Sequence, residues 1–74
     1  MKTLYERLTL ANIECANWQS DLYFPVTEQS RAIVKDCLAD GVIACRPIRF
    51  NSAIDGRLMY EAAFMFDPFW NKGA

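Results

Sequence analysis

The feature that most constrains the fold is the segment over residues 27–41, which has a signal for the start of a helix at one end and a signal for the end of a helix at the other. Thr27 can accept hydrogen bonds from the free N–H groups of a helix N-terminus, and Gly41 can adopt the left-handed conformation that ends a helix. The apolar residues between them follow the spacing of one buried helical stripe: Ala32, Ile33, Val34, Cys37 and Leu38. These signals predict one main helix over residues 28–40. Its solvent-facing side would carry Arg31, Lys35 and Asp36.

Two segments of alternating polarity follow this helix and predict a long C-terminal β-hairpin with strands over 42–50 and 57–66. The second strand would place five residues on one face: Leu58, Tyr60, Ala62, Phe64 and Phe66. The connection between the strands is short and rich in turn-forming residues, so they should pair antiparallel. Pro47 cannot donate a backbone hydrogen bond, which favours an edge position or a bulge for the first strand.

The register of this hairpin has two candidate solutions. A tight turn at Asp55 and Gly56 would set Phe50 opposite Glu61, whereas a six-residue loop over 51–56 would set Arg46 opposite Glu61. We favour the second register, because it forms a cross-strand pair of opposite charges.

The N-terminal third fits two interpretations. Thr3 and Glu6 have the spacing of a capping box, and five apolar residues at helical spacing would support a single helix as far as residue 18: Leu4, Leu8, Ala11, Cys15 and Trp18. However, Asn12 and Ile13 are poor helix formers. We therefore favour a short helix over residues 3–11, a strand over 13–18, a turn over 19–21 and a strand over 22–26.

These elements together predict a single α+β domain over residues 1–74. It would have two layers, with a three- to four-stranded antiparallel sheet and the main helix packed on one face. A composition of 53% hydrophobic residues is typical of a globular protein and not of a disordered one. A chain this short buries only about 60% of the surface that it exposes when unfolded, so its core must be dense.

The residue inventory argues against most catalytic chemistry. The chain has no histidine and no glycine-rich phosphate loop, so we expect neither an enzyme nor a cofactor or metal site. An odd count of cysteines without a CxxC pair predicts three reduced core residues: Cys15, Cys37 and Cys45. The N-terminus lacks the pattern of a secretory signal, and no apolar stretch is long enough to span a membrane, so we expect a cytoplasmic protein.

Arginines and aromatic residues are the features that suggest binding. Three arginines are concentrated on the hairpin, and the chain has more aromatic residues than one sheet face over one helix needs. Tyrosine or tryptophan beside arginine is typical of interface hot spots. The sequence thus predicts a surface for another protein or for a second copy of the chain: Arg46, Arg49, Arg57, Tyr60, Phe69 and Trp70. A plainer interpretation pairs these arginines with Asp55, Glu61 and Asp67.

The resulting profile is a small, near-neutral domain with a formal charge of −1, no histidine and many aromatic residues. It resembles the small inhibitors that bacteriophages and mobile elements encode, anti-CRISPR proteins among them. That resemblance implies a non-enzymatic protein that binds a bacterial enzyme or defence complex and occludes its site. A helix followed by a basic hairpin also resembles the second half of a winged helix, and this favours a nucleic-acid-binding regulator as the alternative.

Overall fold

The computed structural model describes residues 2–18 and 21–63. Its two helices and four strands follow in the order α1 Leu4–Leu10, β1 Ala16–Trp18, β2 Asp21–Pro25, α2 Glu28–Ala39, β3 Ile48–Asn51 and β4 Leu58–Ala63. The strands form one antiparallel sheet in the spatial order β1-β2-β4-β3. This architecture confirms the predicted small two-layer α+β fold. It also confirms both helices to within a residue or two of their predicted ends.

Both helices begin at a threonine that forms a capping box. The Thr3 hydroxyl accepts from the Glu6 amide, and the Glu6 carboxylate accepts from the Thr3 amide, which lowers the pKa of that carboxyl group. At α2 the same reciprocal pair joins Thr27 to Ser30. Each pair satisfies two of the amides that a helix N-terminus leaves without a partner.

Helix α1 ends because Asn12 adopts a left-handed conformation, with φ of 60°. The Asn12 amide then donates to the Thr9 carbonyl at 3.0 Å, and the Ile13 amide donates to the Leu8 carbonyl at 2.9 Å. This is the Schellman arrangement of a helix C-terminus. It excludes a single helix as far as residue 18. It also uses the Ile13 amide, and the strand predicted over 13–18 is observed only as β1, Ala16–Trp18.

Helix α2 ends in the same way, with Gly41 at φ of 71°. The Gly41 amide donates to the Leu38 carbonyl at 3.2 Å, and the Val42 amide donates to the Cys37 carbonyl at 2.9 Å. The strand predicted over 42–50 is therefore wrong in its first half. The adjacent side chains Val42 and Ile43 are both buried, whereas a strand would direct them to opposite faces.

The predicted hairpin is present, but both candidate registers are wrong. The structure sets Ile48 opposite Glu61, because Asn51 stays in β3 and pairs with Leu58. The loop closes one residue later than predicted, where the Ser52 amide donates to the Arg57 carbonyl at 2.8 Å. The predicted pair between Arg46 and Glu61 does not form. Most of the predicted strand 57–66 is observed as β4, and residues 64–66 lie outside the described residues.

The core lies between the helices and one face of the sheet. Strand β2 contributes Leu22 and Phe24, and β4 contributes Tyr60 and Ala62. The Phe24 and Tyr60 rings are 5.1 Å apart between centroids. The helices and the segment after α2 supply the remaining buried apolar residues: Leu4, Leu8, Val34, Cys37, Val42 and Ile43. The alternation predicted for β4 is thus confirmed at its two buried positions.

The cysteines do not all lie in the core, as the sequence pattern predicted. None of the three forms a disulfide, but Cys37 is buried, Cys15 is half-buried and Cys45 is exposed. Burial raises the pKa of the Cys15 thiol. Cys45 lies outside the core because the chain between Ile43 and Pro47 forms bends and no strand.

Ser30 connects α2 to the end of β2, and its hydroxyl is fully buried. It donates to the Pro25 carbonyl at 2.8 Å and accepts from the Thr27 amide at 2.8 Å. We expect Ser30→Ala to lower the free energy of unfolding by about 1–3 kcal/mol, because it leaves buried backbone groups without partners. Urea denaturation measures this change. Ser52→Ala is the matched control: its hydroxyl accepts only a long, exposed bond of 3.3 Å from the Ile54 amide, so the variant should stay within about 0.5 kcal/mol of the parent.

Gly41 allows a direct measurement of the cost of the left-handed helix end. No atom lies within 4 Å of the position that an added Cβ would take, so the substitution meets no steric clash. Gly41→Ala should therefore lower the free energy of unfolding by about 1 kcal/mol through backbone conformation alone. Thermal and urea unfolding check this value. An unchanged stability would show that residue 41 does not need the left-handed conformation.

Candidate functional site

A groove with several charged residues in its lining lies between α2 and β3. Its volume is about 810 Å³. Four cationic side chains line it, Arg31 and Lys35 from α2 and Arg46 and Arg49 from the hairpin, and we call it the basic groove. Glu28 is the one carboxylate in its lining. Its apolar lining residues include Val34, Leu38 and Pro47.

The secondary structure explains why these cations converge. Arg31 and Lys35 are one helical turn apart and lie on the same exposed side of α2. Arg49 pairs with Tyr60 in the sheet register, so it lies on the face that the helices cover. Arg46 comes just before Pro47, whose buried ring packs where the chain enters β3.

None of these four cations forms an ion pair with another described residue. The two ion pairs of the described chain use other arginines, Arg7 with Asp40 at 2.9 Å and Arg57 with Asp55 at 3.1 Å. Like charges that share a groove repel one another unless an anion lies between them. The basic groove is therefore complementary to a negatively charged ligand.

Of the six residues that the sequence predicted as a binding surface, the four that the structure describes do not all lie together. Arg46 and Arg49 lie together in the basic groove, whereas Arg57 is in the hairpin loop and pairs with Asp55. Tyr60 also lines the basic groove, but it is only 6% exposed and its ring packs on Phe24 in the core. The two remaining predicted residues lie outside the described residues: Phe69 and Trp70.

Sequence reasoning missed Arg31 and Lys35 as members of the site. Their helical spacing correctly predicted an exposed side of α2, which is confirmed. The observation that this side of α2 lies next to the start of β3 depends on tertiary structure. Two cations one turn apart indicate only that they share a helix face, so their spacing does not predict what lies beside them.

A second surface is the sheet face opposite the helices, which we call the open sheet face. The register places five large apolar side chains on it, from all four strands. Trp18 is 65% exposed and Ile48 is 64% exposed, and the other three are half-buried: Tyr23, Phe50 and Met59. The Tyr23 and Phe50 rings meet edge to face, with centroids 5.9 Å apart. Asp21 and Glu61 lie among these residues on the same face.

The carboxylates of the open sheet face act on the phenol of Tyr23. Glu61 is directly opposite Tyr23 in the register, and its carboxylate can accept a hydrogen bond from the protonated hydroxyl. This interaction, together with partial desolvation and the negative charges of Glu61 and Asp21, raises the pKa of Tyr23. The neutral phenol is the form that this face stabilises.

Within residues 2–18 and 21–63, the structure shows no group of three or more metal-ligating side chains. No described helix is long and apolar enough to cross a membrane. No family model matches the chain, and neither a curated protein nor a solved structure matches it. Function must therefore be inferred from the charges and contacts of the two surfaces.

The raised pKa of Tyr23 can be tested by titration. The phenol should ionise above the ordinary tyrosine value of about 10, and Glu61→Gln should move its pKa back toward that value. Because the folded-state pKa is raised, the associated stability is fully present below the unfolded pKa and is lost as the pH rises through the folded pKa. NMR titration of the Tyr23 ring resonances measures the shift. An unchanged pKa in Glu61→Gln would show that Glu61 is not its main cause.

Proposed function

We propose that this chain is a non-enzymatic protein-binding module that holds an acidic segment of another protein in the basic groove. The observation that carries the proposal is the convergence around one concave surface of four cations that form no ion pair with a described residue. A carboxylate-bearing segment would supply the missing counter-charges. Arginine can bind a carboxylate through two parallel hydrogen bonds, which adds specificity to the attraction.

The lining of the groove favours a peptide over a nucleic acid. Its apolar lining includes the half-buried Leu38 and small exposed parts of the buried Val34 and Pro47, and it suits a segment in which apolar and acidic side chains alternate. A phosphodiester backbone has no apolar group to place there. In addition, Glu28 lies in the groove and the whole chain has a formal charge of −1, so no long-range positive field collects nucleic acid.

A nucleic-acid-binding regulator remains the second candidate, because the same four cations could neutralise phosphates. It differs from the first candidate in its ligand and in the salt dependence of binding. Retention on DNA should weaken steeply between low and moderate salt, by an amount set by the number of phosphates contacted.

Steric occlusion is the mode of action that we propose for the bound complex. The side chains that line the groove offer charge and apolar contact to a ligand. The bound chain would therefore inhibit its partner by covering part of the partner's surface. We extend the proposal to an inhibitor of a bacterial enzyme or defence complex, of the kind that phages and mobile elements encode. None of the three cysteines forms a disulfide and one of them is exposed, which suits action in the reducing cytoplasm.

The groove can be tested with a labelled synthetic peptide in which glutamate and leucine alternate. We expect this peptide to bind the parent protein in fluorescence anisotropy, and we expect Arg46→Glu and Arg49→Glu each to weaken it by roughly tenfold, because each replaces an attraction by a repulsion. Arg57→Glu makes the same change of charge in the hairpin loop. As the matched control, it should change binding by less than about twofold.

Two results would overturn the proposal. One is equal weakening by Arg57→Glu, which would show a response to net charge and not to the groove. The other is failure of the peptide to bind while a duplex DNA oligonucleotide does so in the same assay, which would favour the nucleic-acid-binding regulator. Circular dichroism of each variant confirms that the fold is kept.

A further inference from the structure

We propose that the open sheet face binds a second kind of ligand, an arginine- or lysine-rich segment of a partner protein. This surface lies on the side of the sheet away from the basic groove, and its charge is of the opposite sign. The inference therefore does not depend on the function proposed for the groove. It is carried by the aromatic side chains and carboxylates that the sheet register brings together.

The aromatic side chains of this face offer rings to a cation. Trp18 is 65% exposed at the edge strand β1, and the half-buried rings of Tyr23 and Phe50 meet edge to face. Ammonium and guanidinium groups are attracted to the faces of such rings, most strongly to tryptophan. The edge-to-face contact also fixes the Tyr23 ring, so it does not have to be ordered again when a ligand binds.

The carboxylates of this face complete the complementarity to a cation. Glu61 lies between Tyr23 and Ile48 in the register, and Asp21 lies opposite Trp18. Neither carboxylate forms an ion pair with a described residue. Within β1 to β4, the register places no lysine or arginine on this face, because Arg49 lies on the opposite one. A cationic ligand would therefore meet two carboxylates without displacing a basic side chain of this chain.

Charge also argues against a second copy bound face to face. A symmetric dimer through the open sheet face would bring the carboxylates of Glu61 and Asp21 close to the same groups of the partner copy. Like charges across an interface oppose association. A copy could offer its basic groove instead, and that arrangement is one outcome of the test below.

The probe is a labelled peptide in which arginine and glycine alternate, compared with the same peptide carrying neutral citrulline in place of arginine. We expect the arginine peptide to bind in fluorescence anisotropy at about 0.1 M ionic strength, and the citrulline peptide to bind at least about threefold more weakly. Glu61→Gln and Trp18→Ala should each weaken the arginine peptide by about three- to tenfold.

Two matched controls separate this face from general effects. Glu28→Gln removes a carboxylate from the basic groove, and Ile54→Ala removes a side chain that is 96% exposed in the hairpin loop. Both should leave binding of the arginine peptide within about twofold of the parent. Circular dichroism checks that each variant is folded, and Arg49→Glu, which disrupts the groove, should not weaken this peptide.

The inference is overturned if the arginine peptide does not bind, if citrulline binds equally well, or if Glu61→Gln and Trp18→Ala both leave binding unchanged. Light scattering decides the remaining alternative. The measured molecular mass of the parent could increase with protein concentration, and this increase could be lost in both Glu61→Gln and Arg46→Glu. That result would identify the ligand of the open sheet face as the basic groove of a second copy, in place of the partner proposed here.

Discussion

The antiparallel pairing of β2 with β4 joins two segments that α2 and β3 separate in sequence, and it sets the position of both candidate surfaces. In this pairing Phe24 is opposite Tyr60, and their rings pack together in the core. The neighbouring pair, Tyr23 opposite Glu61, must then face the other way, because successive strand residues alternate between the faces. A shift of one residue would exchange the core with the open sheet face.

Strand β4 also lies between β2 and β3, so β3 is an edge strand. The connection from β2 to β3 passes through α2, and it brings the exposed side of that helix next to the residues that lead into β3. Arg31 and Lys35 thereby meet Arg46 and Arg49. The basic groove is thus a consequence of the strand order.

Much of the fold could be predicted from the sequence, because its strongest signals are local. Thr3, Thr27 and Gly41 act within one helical turn of their position, and each acts as predicted. The hairpin register could not be predicted in this way, because both solutions considered were based on one turn or one charged pair. In the structure, the loop hydrogen bond from Ser52 to Arg57 decides the register against the pair between Arg46 and Glu61.

The candidate site was predictable only in part, for the same physical reason. The concentration of arginines predicted Arg46 and Arg49 as binding residues. The two other cations of the basic groove come from α2, and only the tertiary structure shows that they lie beside these arginines. The sequence also did not show which of the described aromatic rings fill the core. Sheet pairing assigns Phe24 and Tyr60 to the core and Tyr23 to the open sheet face.

In the described part of the chain, two helices pack on one face of a four-stranded sheet and leave the other face without a helix. The other face must then be apolar enough to hold its strands together and polar enough to avoid nonspecific association. Glu61 and Asp21 place charge inside the aromatic part of this face, and a surface that is both apolar and negatively charged repels its own copies. A selective ligand for such a face has to bring positive charge, which is why its chemistry points to a cationic segment.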